Sequence, residues 1–468
     1  MKFTILSHAG MLVESRGIRL VSDPWILGSC YWRSWWNYPK AAPLATQDIS
    51  YIYLTHMHWD HFHGPSLRKF PSNVTFLAPK APTSCIVDDL GDFPCKEVIE
   101  LPHGRTIELA PNFRVTSYHF GLNTDSTLVI EDGETTLVNM NDCKLAGLPL
   151  RQLLDRHPRI DFLFRSHSSA QPYPSCIDAE DSADLRYRKN EDYVADFVEA
   201  AKLVKPTYAI PFASNSCFLH KETIAFNDAV VNPLDVKRYF DDHKPDATEC
   251  QVMVAGDSWD SQTGFQVAQQ DYFTDRERHL REYAEELRPL LEEHYRKEDG
   301  AKISFRAFEA YFQAFMASLP WFVRMVFKPV VVFELEGRPG NPWVVDFAKQ
   351  RVFEAKDGIP EFSLRFRVHP AVLRDCVQKK MFTLLFPSKR LRVEMKKGHV
   401  KDYFMFEILF DLYEYRLLPL RKAVNVRFVG AWLRRWREVQ HMAALLVKVV
   451  VRGRGDEGIE ALVPRTTV

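Results

Sequence analysis

Several absences narrow the class of this 468-residue chain. Its eight cysteines (Cys30, Cys85, Cys95, Cys143, Cys176, Cys217, Cys250 and Cys376) are scattered without a Cys-x2-Cys pair, which fits reduced, buried thiols better than a disulfide framework. Neither sign of charge is in excess, with 61 Lys+Arg against 61 Asp+Glu, so global charge gives no reason to invoke nucleic acid or membrane as the main partner. No stretch reaches the roughly 18 uncharged apolar residues of a transmembrane segment. Residues 303–327 come nearest, but Arg306, Glu309 and Arg324 interrupt them. The start, Met1-Lys2-Phe3-Thr4-Ile5-Leu6, enters a strand-like pattern without a basic region followed by an apolar one, so no secretory signal is expected and a cytoplasmic location is the default. No internal repeat stands out.

A chain this long exceeds one ordinary core and predicts two or three domains. Residues 1–268 read as short strands mixed with helices: Met11–Glu14, Arg19–Ser22, Tyr51–Leu54, Val74–Leu77, Arg114–Tyr118, Thr127–Glu131 and Thr136–Asn139, then Asp161–Phe164, Tyr208–Pro211 and Gln251–Ala255 around a helix over 192–203. That alternation predicts an α/β layered domain. Thr274-Asp275-Arg276-Glu277 has the form of a capping box opening a helix, which places a helical connector over 269–328. Residues 329–468 form a smaller α+β region. Its last part, 428–451, sets Trp432, Leu433 and Trp436 beside Arg434, Arg435 and Arg437, and reads either as a docked terminal helix with a solvated basic face or as a segment lying on a membrane or partner.

The densest signal is Thr55-His56-Met57-His58-Trp59-Asp60-His61-Phe62-His63, directly after the apolar run Tyr51-Ile52-Tyr53-Leu54. With only 16 histidines in the chain, a His-x-His-x-Asp-His pattern arises by composition in about one such chain in a thousand. His56 and His58, two apart on extended backbone, share a face and can hold one ion. Asp60 and His61 turn to the other side of the loop and can hold a second, and the carboxylate suits a dinuclear centre of Zn, Fe or Mn.

This motif after a buried strand resembles the signature of the metallo-β-lactamase superfamily, which implies an αββα sandwich. The resemblance also implies His119 as third ligand of the first site and Asp142 as the carboxylate shared by two divalent ions, with Asp60 and Asp142 as the catalytic acids. The family's final histidine is missing: Tyr208-Ala209-Ile210-Pro211-Phe212-Ala213 has alanine there, and His167 is the expected substitute, with His220 as the alternative. Ser22-Asp23-Pro24-Trp25-Ile26-Leu27-Gly28, Trp35-Trp36, Asn139-Met140-Asn141-Asp142-Cys143, Pro211-Phe212-Ala213 and Gly256-Asp257-Ser258 are similar to the CMP-N-acetylneuraminate hydroxylase branch. That branch carries a Rieske domain whose ligands include a Cys-x-His pair, and no such pair occurs here. The implied function is a non-haem diiron oxygenase acting on a small molecule, with electrons from an external reductase. The alternative is a hydrolase of a phosphodiester, lactone or amide, in which metal-bound water is the nucleophile. Residues 330–415 resemble a sterol-carrier-protein-2-like module. Substrate and oligomeric state stay open.

Other polar residues have two readings each. His8 can support the site or be a core histidine, and Asp23 orients a ligating histidine. Asp125 supports the site or caps a turn, while His63 and His103 read as loop and turn residues. Trp25, Tyr31, Trp32, Trp35, Trp36 and Tyr38 either wall a pocket or pack against the second domain.

Overall fold

A computed structural model describes residues 1–120, 125–186, 189–268, 271–337 and 340–440. Side chains alternate across each strand, and the first two sheets use that alternation to bury both faces. Ile52 and Tyr53, neighbours in one strand, enter different cores. The first sheet has the spatial order Gly264–Gln266, Ser258–Asp260, Lys2–Ile5, Met11–Ser15, Ile18–Ser22, Tyr51–Tyr53, Thr75–Pro79, Glu97–Leu101. The second has Glu249–Cys250, Tyr208–Pro211, Phe162–Arg165, Thr136–Asn141, Ser126–Glu131, Phe113–His119, Arg105–Ala110.

Phe3, Leu20 and Tyr53 of one sheet meet Val115, Leu137 and Phe162 of the other in the central core. Helices Gly147–Arg156, Asn190–Val204 and Pro233–His243 pack on the outside of the second sheet through Leu153, Phe197 and Phe240. Leu67 and Ile86, from the short helices Gly64–Leu67 and Cys85–Leu90, do the same for the first. The layer order is αββα.

Gln251–Ala255 is not a strand. The chain pairs with Tyr208–Pro211 only over Glu249–Cys250 and then turns, because Asp257 takes the Val254 N–H at 2.8 Å and the Ala268 N–H at 2.9 Å. Glu97–Leu101 and Arg105–Ala110 are strands at sheet edges whose half-exposed, charge-interrupted sequences hid them. The connector helix Arg276–Asp299 starts at Asp275, whose carboxylate pairs with Arg278 (2.6 Å) instead of capping, so the expected box does not form.

A third, six-stranded sheet has the order Ile177–Ala179, Leu391–Met395, Leu364–Val368, Val330–Leu335, Trp343–Asp346, Arg351–Glu354. Its first strand comes from the segment between Phe162–Arg165 and Asn190–Val204, so the sandwich lends an edge strand to the C-terminal sheet. Phe308, Phe312, Phe333, Phe366, Phe382 and Phe410 fill the core beneath it. Arg390, 1% exposed, binds Glu222 of the sandwich (2.9 Å) and Glu298 at the end of the connector helix (2.5 Å). Of the stretch 428–451, the part to Arg434 belongs to the helix Val426–Arg434, and 441–451 lie outside the described residues. No helix among the described residues is long and apolar enough to cross a membrane.

Candidate metal centre

The strand Tyr51–Tyr53 lies between parallel neighbours Ile18–Ser22 and Thr75–Pro79, and the histidine loop leaves its C-terminal end. Asp23, in the left-handed region (φ 43°) after its own strand, organises that loop. Its Oδ1 accepts the Thr55 N–H at 2.8 Å, and its Oδ2 accepts from Thr55 Oγ1 at 2.7 Å, from His61 Nδ1 at 2.8 Å and from Asn141 Nδ2. Asn141 is also left-handed (φ 47°). Two residues in a conformation that disfavours side chains with a Cβ are thus tied to each other across the two sheets.

The structure gathers His56, His61 and Asp142 into one group and His8, Asp60 and His61 into another, the ligand atoms of each lying within 4.8 Å of one another. His61 Nε2 is 3.3 Å from Asp60 Oδ2 and 3.4 Å from Asp142 Oδ2. His58 Nδ1 is 3.0 Å from His56 Nε2. Burial pulls His56 and His58 down to about 4, so both stay neutral at ordinary pH, the form that ligates a metal. Burial also acts to lower His61, but Asp60, Asp23 and Asp142 outweigh it and lift its pKa well above the usual value. In the metal-free chain a proton on His61 supplies the positive charge those carboxylates require.

His8 Nε2 stands 3.1 Å from Asp60 Oδ2, and both of its ring nitrogens are buried without a hydrogen bond. The same holds for both nitrogens of His167 and for His61 Nε2. The nitrogens of His8 and His61 that face Asp60 and Asp142 are what a divalent cation would satisfy, so the donor set fits a metal. His8, named from the sequence as a support or a core histidine, stands among the possible ligands themselves. It reaches the site because Ala213, at the position of the family's absent histidine, gives its backbone N–H to the His8 carbonyl at 3.0 Å. His167 is buried close to His8, and burial followed by that neighbour brings it to about 3.

His119 belongs to neither group among the described residues. Its Nε2 lies 3.1 Å from Ser117 Oγ, and its backbone N–H binds His103 Nδ1 at 2.9 Å. His103 is therefore a support for that strand end. His63 bonds Ser66 Oγ at 2.8 Å, and His220 lies 3.5 Å from Glu298, with which it and His294 form a separate group of possible ligands.

A cavity of about 440 Å³ opens on His8, His58, Asp60, Asp125 and Asp142. Tyr31 and Trp35 wall it on one side, and Lys144, Ser166, Ser214 and Tyr193 line another. Tyr31 donates to Asp60 Oδ1 at 2.5 Å, a contact not legible from composition. The aromatic stretch fills both roles foreseen for it, since Trp35 Nε1 also donates to Pro387 O (2.8 Å) and Trp32 Nε1 to Asp375 (3.1 Å). Pro387 and Ile408 of the C-terminal region complete the cavity wall.

Layer order and loop together define a metallo-β-lactamase-type sandwich whose His and Asp groups could hold metal. No family model matches the chain. A Mycolicibacterium smegmatis protein, provisionally named a Rieske 2Fe-2S iron-sulfur protein, is 25% identical over 456 residues, 88% of this chain and 85% of its own length. A Mycobacterium tuberculosis protein of the same kind of name is 28% identical over 253 residues, 50% of this chain, which spans only about half (48%) of that relative. The Danio rerio cytidine monophosphate-N-acetylneuraminic acid hydroxylase is 34% identical over 68 residues, 14% of this chain and 12% of the hydroxylase. Similar solved structures include CmlA, a diiron β-hydroxylase from Streptomyces venezuelae (TM-score 0.37, 15% identity, 55% of this chain and 53% of that one). Igni18, a metallo hydrolase from Ignicoccus hospitalis, is another (TM-score 0.37, 16% identity, 55% of this chain and 96% of that one).

Proposed function

We propose that the chain is a dinuclear non-haem iron oxygenase of a small organic substrate, supplied with electrons by a separate reductase. The dinuclear reading rests on the two donor groups that overlap at His61. His61 Nδ1 is committed to Asp23, so Nε2 can serve one ion only, and a second ion needs the remaining donors. Asp142, with two oxygens and a side chain 23% exposed toward the cavity, is the residue suited to sharing. His8, Asp60 and His61, with His167 beside them, would hold one ion, and His56, His58 and Asp142 the other. Two bound irons would supply the electrons for O2 activation.

The protein's own groups do the rest. Asp23 fixes the His61 tautomer and ring plane. Tyr31 holds Asp60 in place, while Trp35 and Phe120 wall the cavity with apolar surface and Lys144 and the serines present polar groups to the substrate. The oxygenase reading is supported by the relatives named for a Rieske centre and for a hydroxylase. Lacking a Cys-x-His pair, this chain needs an iron-sulfur reductase from outside. The eight free thiols fit a reducing, cytoplasmic setting.

Metal analysis of protein purified without air tests this. About two irons per chain, and O2 uptake by the reduced protein with substrate, are expected. Tightly held zinc with O2-independent turnover would instead establish the hydrolase. His56→Ala is expected to remove one ion and Asp142→Ala to disturb both; undiminished metal in Asp142→Ala would refute the shared carboxylate.

A further inference from the structure

The stretch from Arg416 to Arg437 contains seven Lys+Arg and no Asp or Glu, in a chain whose total charges balance. Three of the seven are spent inside the protein: Arg416 pairs with Asp88, Arg427 with Glu100 and Arg435 with Glu438. Arg427 Nε also donates to Ala81 O at 3.0 Å and Arg435 Nη2 to His119 O at 3.2 Å. The contacts of Arg427 with Glu100 and Ala81, and of Arg435 with His119, hold the helix Val426–Arg434 against the sandwich. Arg421, Lys422, Arg434 and Arg437 stay exposed, with no carboxylate partner among the described residues.

The outward side is apolar. Val426 (91% exposed), Val429 (42%) and Leu433 (67%) recur every three or four residues, the spacing of one helix face, and Trp436 (50%) and Val439 (42%) follow beyond the break at Arg435. A helix held by its polar inner side while it offers a Leu/Trp/Val stripe flanked by free cations has the make-up of an interfacial helix. Water does not favour such a stripe. A second copy of the chain is a poor cover, because pairing would bring the same free cations face to face. Acyl chains would take the stripe, and lipid phosphates or carboxylates would take the cations.

We propose that the segment Leu420–Val439 seats the protein on the surface of an anionic bilayer, with Leu433 and Trp436 entering the acyl boundary and Arg434 and Arg437 meeting headgroups.

Co-sedimentation of the full chain with vesicles of phosphatidylglycerol and phosphatidylcholine tests this. Binding is expected to phosphatidylglycerol vesicles, to be at least about tenfold weaker to pure phosphatidylcholine and to fall as salt is raised. Leu433→Glu/Trp436→Glu and, separately, Arg434→Glu/Arg437→Glu should each weaken it by about tenfold or more, while circular dichroism and metal content match the parent. Failure of the parent chain to bind anionic vesicles would overturn the proposal. So would salt-independent binding that both double variants retain, or a concentration-dependent dimer that Leu433→Glu/Trp436→Glu abolishes.

Discussion

His119 shows how a residue at a ligand's place in sequence can be engaged elsewhere. Its strand ends beside the site, but the ring rests on Ser117, which is itself bonded to Tyr53 at 2.8 Å. His119→Ala is therefore expected to leave bound metal near the parent level, measured on the same anaerobic preparation; loss of one ion would restore the role its position implies. The buried histidines also set an acid response. Burial holds His56 and His58 near 4, below the roughly 6.5 of an unfolded chain. Between those values the unfolded chain binds more protons, so stability rises with pH there and is lost as pH falls from about 6.5 to about 4. Burial also raises the carboxyls of Asp125, Asp257, Glu336, Asp411 and Glu414 and pushes Glu407 up to about 8, which opposes this, while His63, held near 4, and His167, brought to about 3, add to the loss. In metal-stripped protein the loss of urea midpoint between about pH 6.5 and 4 should be smaller in His56→Gln/His58→Gln than in the parent, and an identical pH dependence in the two would contradict the burial of these rings.

At the level of elements, the loop between the short strands Ser29–Cys30 and Trp35–Asn37 stands out because Tyr31, Trp32 and Arg33 are all left-handed (φ 51°, 52° and 62°). Each costs about 1 kcal/mol against the right-handed form. The loop persists because Tyr31 is anchored to Asp60, Trp32 to Asp375 and Ser34 to Ser388 O at 2.6 Å. Tyr31→Phe removes the donor from a buried carboxylate and is expected to cost about 1–3 kcal/mol in urea unfolding of the metal-free protein. An unchanged midpoint would mean that Asp60 is held by His8 and His61 alone.

At the scale of the molecule, Arg390 joins three regions. It is fully buried between Glu222 and Glu298, and Pro387, three residues earlier, walls the cavity. Replacing it leaves Glu222 without its partner and Glu298, 6% exposed, with only His294 (3.0 Å) and His220 (3.5 Å). Arg390→Met should destabilise the protein by about 3–5 kcal/mol, and Arg390→Met with Glu222→Gln and Glu298→Gln should recover much of that. Denaturation curves of the single and triple variants decide it; equal losses in both would show that shape, not charge, is what Arg390 provides.

Much of this was legible before any coordinates. The strand Tyr51–Tyr53 and the donors His56, His58, Asp60 and His61 lie within a dozen residues, so their nearness was legible, but not their grouping: His56 meets His61 and Asp142, and His58 belongs to neither group among the described residues. The β-branched and aromatic runs likewise announced most strands of the two sheets. The order of those strands was not written locally, nor the loan of Ile177–Ala179 to another sheet, because long-range pairing depends on partners far along the chain. For the same reason only the fold brought His8 to Asp60, turned His119 onto Ser117 and aimed Tyr31 into the site. Sequence alone determined which ligand atoms the chain offers, since donor types are a property of residues. Tertiary structure decided which donors meet, since meeting depends on packing between segments that sequence leaves far apart.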